Sequence, residues 1–228
     1  MLSLSLMAFR VVLVDPENPL NVGFVARAMR AFGVADLVVA SSPWKSLPAE
    51  ARVTGVCAPD ILDGILFEKE LSGALRGCDT AIAFSRRPTA LRQDEFTLPA
   101  VPASLNLEGC TALVFGRESA GLSRADSALC PHLARIPCQN GVSLNLGQAV
   151  AVALFSLTAS TQGELPVKPP VASLDRMMAL WDYVQPRLAA SSRITEVRQR
   201  RIRQMLYRLR LDDPDFDLLF SVMKNLAG

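Results

Sequence analysis

The 228-residue chain carries a single histidine, His132. That scarcity removes most metal-site and triad chemistry. A Ser–His–Asp or Cys–His arrangement would have to use this one imidazole, and no G-x-S-x-G elbow accompanies it. No CxxC pair occurs among the five cysteines, Cys57, Cys78, Cys110, Cys130 and Cys138. Their odd number fits reduced core thiols of a cytosolic protein better than a disulfide framework, with His132 on the surface. Only Cys130, His132 and Cys138 cluster, too few for a zinc site, so no metal is expected. The longest nearly apolar run, Ala149–Ala159, falls short of the ~20 residues a bilayer span needs, so no membrane partner is expected. The N-terminus MLSLSLMAFR has neither a basic n-region nor a small-residue cleavage site. It reads as no signal peptide, with Met7 an alternative start, and a cytoplasmic location is expected.

What is present is globular. Half the residues are apolar and a fifth charged, which excludes disorder and collagen-like repeats. The net charge of +2 names no partner, but its distribution is uneven. Residues 1–172 hold 14 basic and 15 acidic side chains; residues 173–228 hold 10 and 7. Between Arg187 and Arg210 stand eight arginines against one acid, Glu196. Such a run is commonly a solvated helix face; it also suits a polyanion.

Periodicity places the elements. Phe9–Val14 reads as a buried strand. Val22, Val25, Ala26, Met29 and Phe32 form one apolar helix face, and Asp36–Ala40 is a second strand. This βαβ opening predicts a mostly parallel sheet covered by helices. Thr80–Phe84, Thr111–Phe115 and His132–Ile136 are further strands, and Glu68–Leu75 looks helical. Ser123 with Asp126 caps a short helix, and Leu146–Ala159 is a buried helix. Thr161–Val171, with three prolines, is a linker. The expected division is an α/β domain over 1–160, a linker over 161–172 and a helical extension over 173–228. The extension's helices are Ser173–Val184, Thr195–Leu209 and Asp215–Leu226, punctuated by Pro186 and Pro214.

Gly116–Ser123 (GRESAGLS) follows a strand and precedes a helix, one residue from a phosphate-binding P-loop. Leu122 stands where the lysine must be, so an NTPase is excluded. No GxGxxG follows the first strand, which disfavours a dinucleotide site. The loop is either a ligand loop at a strand end or a plain tight turn.

Three segments together carry a resemblance: NPLNVGFVARAM from Asn18, LVFGRESAGLS from Leu113, and Ile136-Pro137 followed by SLNLGQAV from Ser143. In order and distance they resemble the three motifs of SPOUT-class RNA 2′-O-ribose methyltransferases, most closely the TrmJ-like tRNA (cytidine/uridine-2′-O-)-methyltransferases. The likeness covers nearly the whole chain, including an arginine-rich helix followed by DPDFDLLFSVMKNL. It implies an α/β fold with a deep trefoil knot and a small C-terminal helical extension, with S-adenosylmethionine as cofactor. It also implies tRNA as partner, and a homodimer in which each site is completed by the other subunit. The implied reaction is methylation of a ribose 2′-hydroxyl, at nucleotide 32 of the anticodon loop. The same chemistry on ribosomal RNA and a non-catalytic RNA-binding knot protein are the alternatives.

The resemblance also assigns residues. Asn21 and Arg27 match the first motif, and it makes Arg27 the catalytic arginine; without it, Arg27 is a solvated side chain sharing a helix face with Gly23 and Arg30. Gly23, lacking a Cβ, would let another chain approach that face. A guanidinium with a pKa above about 12 is a poor base at neutral pH. Arg27 is therefore expected to steer a phosphate and stabilise the developing alkoxide. Glu118 matches the second motif's acid, ordering Arg27 or the loops. Gly116, Ile136 and Leu144 match donor-contacting positions, with Val142 and Ser143 alongside. Phe84, Ser85 and Arg86 match another donor-contacting loop, although Phe84 is bulkier than that family's usual residue. Ser143 and Asn145 bind the ribose or the loop backbone, with Asn145 as a plain helix N-cap the competing reading.

Overall fold

A computed structural model describes residues 8–86, 94–102, 104–105, 107–139, 142–160, 171–190, 194–209 and 211–225. The sheet strands are β1 (Ala8–Val14), β2 (Asp36–Ala40), β3 (Leu66–Glu68), β4 (Thr80–Phe84), β5 (Asp94–Thr97), β6 (Cys110–Phe115) and β7 (His132–Arg135). The helices are α1 (Pro19–Ala31), α2 (Ala51–Thr54), α3 (Pro59–Asp63), α4 (Leu71–Ala74), α5 (Arg124–Ser127), α6 (Leu146–Ser160), α7 (Leu174–Ala189), α8 (Glu196–Arg208) and α9 (Asp213–Asn225). The strands pair in parallel in the order β3-β2-β1-β6-β4-β7-β5. Two late strands thus sit between earlier ones: β6 between β1 and β4, and β7 between β4 and β5.

Alternation along the strands divides the core into two layers. Val11, Leu13, Leu37, Val39, Ile82, Leu113 and Phe115 face α1 and α6, where Val22, Val25, Met29, Val150 and Leu154 are buried. Val12, Val14, Val38, Ala81, Ala83, Ala112 and Val114 share the other layer with Leu174, Leu180, Trp181, Leu206 and Phe216. The C-terminal helices therefore lie directly on the sheet. A backbone bond ties them down, Leu174 N–H donating to Cys78 O at 3.1 Å, while Ala172 N–H to Leu211 O at 2.7 Å joins the start of α7 to the approach to α9.

Several elements depart from expectation. Glu68–Leu75 is not one helix: Glu68 closes β3, paired with Ala40, and only Leu71–Ala74 is helical. α7 runs through Pro186 to Ala189, because a proline in the last turn removes the donor for only one carbonyl. Pro214 opens α9 rather than interrupting it, since first-turn N–H groups have no helical acceptor. His132 is not a surface residue; its side chain is 14% exposed. Gly23 is buried against its own chain. A Cβ there would lie 2.1 Å from Ala51 O and 2.2 Å from Thr54 Oγ1, so α2, not another chain, fills that space. Residues 161–170 of the expected linker, Met1 to Met7, Arg193 and Arg210 lie outside the described residues.

Candidate active site

Register aligns the carboxyl ends of three neighbouring strands: Phe84 opposite Phe115, and Phe84 opposite Ala134. Open α/β sheets bind ligands at this edge. Here a cavity of about 480 Å³ opens, within the usual range for small-molecule sites. The Phe84 and Phe115 rings stack with centroids 4.5 Å apart and planes 8° off parallel. With Ala134, Ile136 and Leu144 they make an apolar wall. Ser85, Arg86, Asn21, Glu118, Ser143 and Asn145 supply polar groups.

Three remote segments are joined by one hydrogen-bond relay. The Glu118 carboxylate, on the loop after β6, accepts from Glu17 N–H at 2.9 Å and Asn18 N–H at 3.3 Å. It also accepts from Asn21 Nδ2 at 2.8 Å. Asn21 is buried, and its Oδ1 accepts from Asn145 Nδ2 at 2.7 Å. Asn145 Oδ1 accepts from Gly147 N–H at 2.9 Å, while Gln148 Oε1 accepts from Asn145 N–H at 3.0 Å. Asn145 is thus the capping residue of α6 and also the link to α1, its amide serving both ends. Among the described residues, no buried side-chain nitrogen or oxygen of this relay is left without a hydrogen bond.

Glu17 mirrors Glu118. Its carboxylate accepts from Ser119 N–H at 2.9 Å and Ser119 Oγ at 2.7 Å. An ion pair between Arg117 and Asp15 closes the same seam between the β1–α1 and β6–α5 loops. The Ser119 side-chain and backbone hydrogen bonds hold the Glu17 carboxyl below its ordinary value, with Arg117 adding to the effect. A depressed folded-state pKa means the clamp is complete above the unfolded value and is lost as pH falls through the lower folded one. Thermal melts of wild type and Glu17→Gln are expected to differ at neutral pH and to converge on acidification. A constant difference would remove the carboxylate from the explanation.

Gly116 is required by packing. A Cβ on it would lie 2.2 Å from Gly121 C and 2.3 Å from Leu122 N, both backbone atoms. The loop folds back on its own start, with Gly121 N–H donating to Arg117 O at 2.8 Å.

Of the expected residues, the structure brings Asn21, Phe84, Ser85, Arg86, Gly116, Glu118, Ile136, Ser143, Leu144 and Asn145 to one cavity. Two stand apart. Val142 is 66% exposed and does not line it. Arg27 is exposed on α1, and among the described residues no hydrogen bond or ion pair reaches its side chain. Glu118 engages Asn21 and the α1 N-terminus, not Arg27. Glu17, Phe115, Ser119 and Cys138 were missed. Phe115 was legible, ending a strand beside the Gly-rich loop, whereas Glu17 has no pattern that marks it.

A parallel sheet with interleaved strand order and a carboxyl-edge cavity built from three distant motifs places the protein in the class of open α/β folds that bind a ligand at the strand ends. The SpoU rRNA Methylase family profile matches residues 8–155, and the chain belongs to that family. Its likeness within the family is to TrmJ. Over 156 residues, 65% of this chain, it is 36% identical to the tRNA (cytidine/uridine/adenosine-2′-O-)-methyltransferase TrmJ of Pseudomonas aeruginosa; that stretch covers 59% of the Pseudomonas protein. The crystal structure of TrmJ from Z. mobilis ZM4 superposes with a TM-score of 0.84 at 23% identity, covering 96% of this chain and 99% of that one. The SpoU methyltransferase AviRb from Streptomyces viridochromogenes, solved with AdoMet, matches at TM-score 0.54 and 20% identity, covering 69% of this chain and 62% of AviRb.

Proposed function

We propose that the chain transfers a methyl group from S-adenosylmethionine to a ribose 2′-hydroxyl of tRNA, at nucleotide 32 of the anticodon loop. The observation that carries this reading is the cavity where the three motifs meet, held by the Glu118–Asn21–Asn145 relay. The cavity fits such a donor. Its stacked aromatic and aliphatic wall suits a purine, and the polar groups of Ser85, Arg86, Glu118 and Ser143 suit a sugar and an amino-acid moiety. The bound cofactor would supply an electrophilic methyl group. Phe84, Gly116, Ile136 and Leu144 would hold it, with Ser143 beside them.

The chain's own residues do the rest. The relay fixes the α1 N-terminus against the loop after β6, so the pocket is preorganised rather than assembled on binding. Arg27 orients the nucleotide through its phosphate and stabilises charge on the 2′-oxygen. Its place outside its own chain's cavity supports a role in the site of a second copy. The surface around it supports a homodimer. Leu20 (37% exposed), Phe24 (44%) and Arg27 run along one stripe of α1, and Phe155 (61%) lies on neighbouring α6. The interleaved strands support the knotted reading of the fold. Residues 173–228 would grip RNA through exposed Arg198, Arg200 and Arg201 on α8. Arg203, by contrast, is tucked over the Trp181 and Tyr207 rings. No helix among the described residues is long and apolar enough to cross a membrane, and a cytoplasmic site of action is part of the proposal.

The family's description as an rRNA methylase favours ribosomal RNA as the second reading. Methylation assays on separated RNA classes, with ribose-methylation mapping in cells with and without the protein, divide the two. Label in tRNA at nucleotide 32, lost without the protein, is expected. Label confined to ribosomal RNA would reverse the assignment, and donor binding without transfer to either would leave a non-catalytic RNA binder.

A further inference from the structure

Cys78 and Cys110 lie at the amino end of the sheet, the edge opposite the cavity. Cys78 precedes β4 and Cys110 opens β6, adjacent strands paired through Thr80 and Thr111. Their sulfurs are 3.4 Å apart. The backbones around them are held together from both sides. Asp79 N–H donates to Cys110 O at 2.8 Å, and Cys110 N–H to Asp79 Oδ2 at 2.8 Å. A disulfide needs about 2.05 Å between sulfurs, so the two must close on each other before the bond forms.

The two thiols are unequal in a useful way. Cys78 is buried, whereas Cys110 is half-buried. Their shared hydrogen bond holds the Cys110 thiol below its ordinary value and, with burial, pushes Cys78 up. The Arg10 guanidinium acts in the same direction on Cys110. Asp36 and Asp79 oppose it, and Arg10 is partly engaged by Asp36 at 2.8 Å. Oxidative attack needs an accessible thiolate with a second thiol close enough to resolve it. Here the second thiol is in contact and Cys110 is the less buried of the two, whereas Cys57 and Cys138 are exposed without a neighbouring thiol and Cys130 is buried.

We propose that Cys78 and Cys110 are a dithiol modification site that a peroxide converts to an intramolecular disulfide. The Cys110 thiolate attacks one peroxide oxygen. The O–O bond breaks, the departing oxygen leaves as water after taking a proton, and a sulfenic acid remains on Cys110. The Cys78 sulfur then attacks Cys110 Sγ, its proton leaving with the hydroxyl as a second water. Two thiols are oxidised by two electrons, and one hydrogen peroxide is reduced to two waters. The site stands independently of the methyl-transfer reading.

The test is limited hydrogen peroxide treatment of the reduced full-length protein, followed by alkylation and peptide mapping. A cross-linked peptide joining Cys78 to Cys110, lost on thiol reduction and formed at least about tenfold faster than oxidation of Cys57 or Cys138, is expected. In Cys78→Ala the same treatment should instead leave a Cys110 sulfenic acid trapped by dimedone. If Cys57 or Cys138 oxidises first, or the cross-link joins two copies of the chain, the proposal fails. The wild-type map reads the outcome even where the variant is unstable.

Discussion

Replacing Arg27 with lysine is expected to lower methyl transfer on the order of 10²-fold while leaving the melting temperature unchanged. The magnitude follows from removing one preorganised donor aimed at developing oxygen charge. The unchanged stability follows from exposure: no hydrogen bond or ion pair to the Arg27 side chain is present among the described residues, so the fold does not depend on it. Lysine keeps the charge but not the planar fork that can span a phosphate oxygen and a ribose oxygen. Near-full turnover in Arg27→Lys would reduce the role to simple charge, and near-full turnover in Arg27→Ala would remove it. Because the proposed site is shared between copies, mixing Arg27→Ala with Gly116→Ala should restore partial activity, each heterodimer retaining one intact pairing.

Gly116→Ala should produce the largest loss of cofactor binding. The added methyl would fall on the backbone of Gly121 and Leu122, atoms that cannot rotate away as a side chain does. Overpacking of this kind costs about 1–3 kcal/mol where the structure yields. The yielding part here would be the Gly116–Leu122 loop, which holds Glu118 and Ser119 in the clamp with Glu17 and Asn21. S-adenosylmethionine affinity measured calorimetrically is expected to fall about tenfold to a hundredfold, with a lower melting temperature. Unaltered affinity would mean that the loop is not part of the donor site.

The strands were legible where they are buried on both faces. VVLV, DLVVA, TAIAF and TALVF are short apolar runs bounded by turn residues, and each became a strand of the central sheet. The edges were not. β5, with sequence DEFT, buries only Phe96, and β3 pairs on one side alone, so neither carries a pattern that separates it from a loop. The site was legible only through the resemblance. Asn21, Glu118 and Asn145 stand about a hundred, then nearly thirty residues apart, and single-chain periodicity cannot join polar residues over such distances. The layer to which α7, α8 and α9 belong was also hidden, because their amphipathic faces do not say which partner they cover.

That packing bears on how the proposed RNA affinity can be dissected. Trp181, Leu180 and Leu206 roof over Val12, Val14 and Val114, so excising residues 173–228 would strip an apolar sheet to solvent and invite self-association. A shortened chain that failed to bind tRNA would then report a damaged scaffold as readily as a missing grip. Charge reversal at Arg198, Arg200 and Arg201, whose side chains are exposed while Leu206 and Tyr207 beneath stay seated, separates the two contributions without unroofing the sheet.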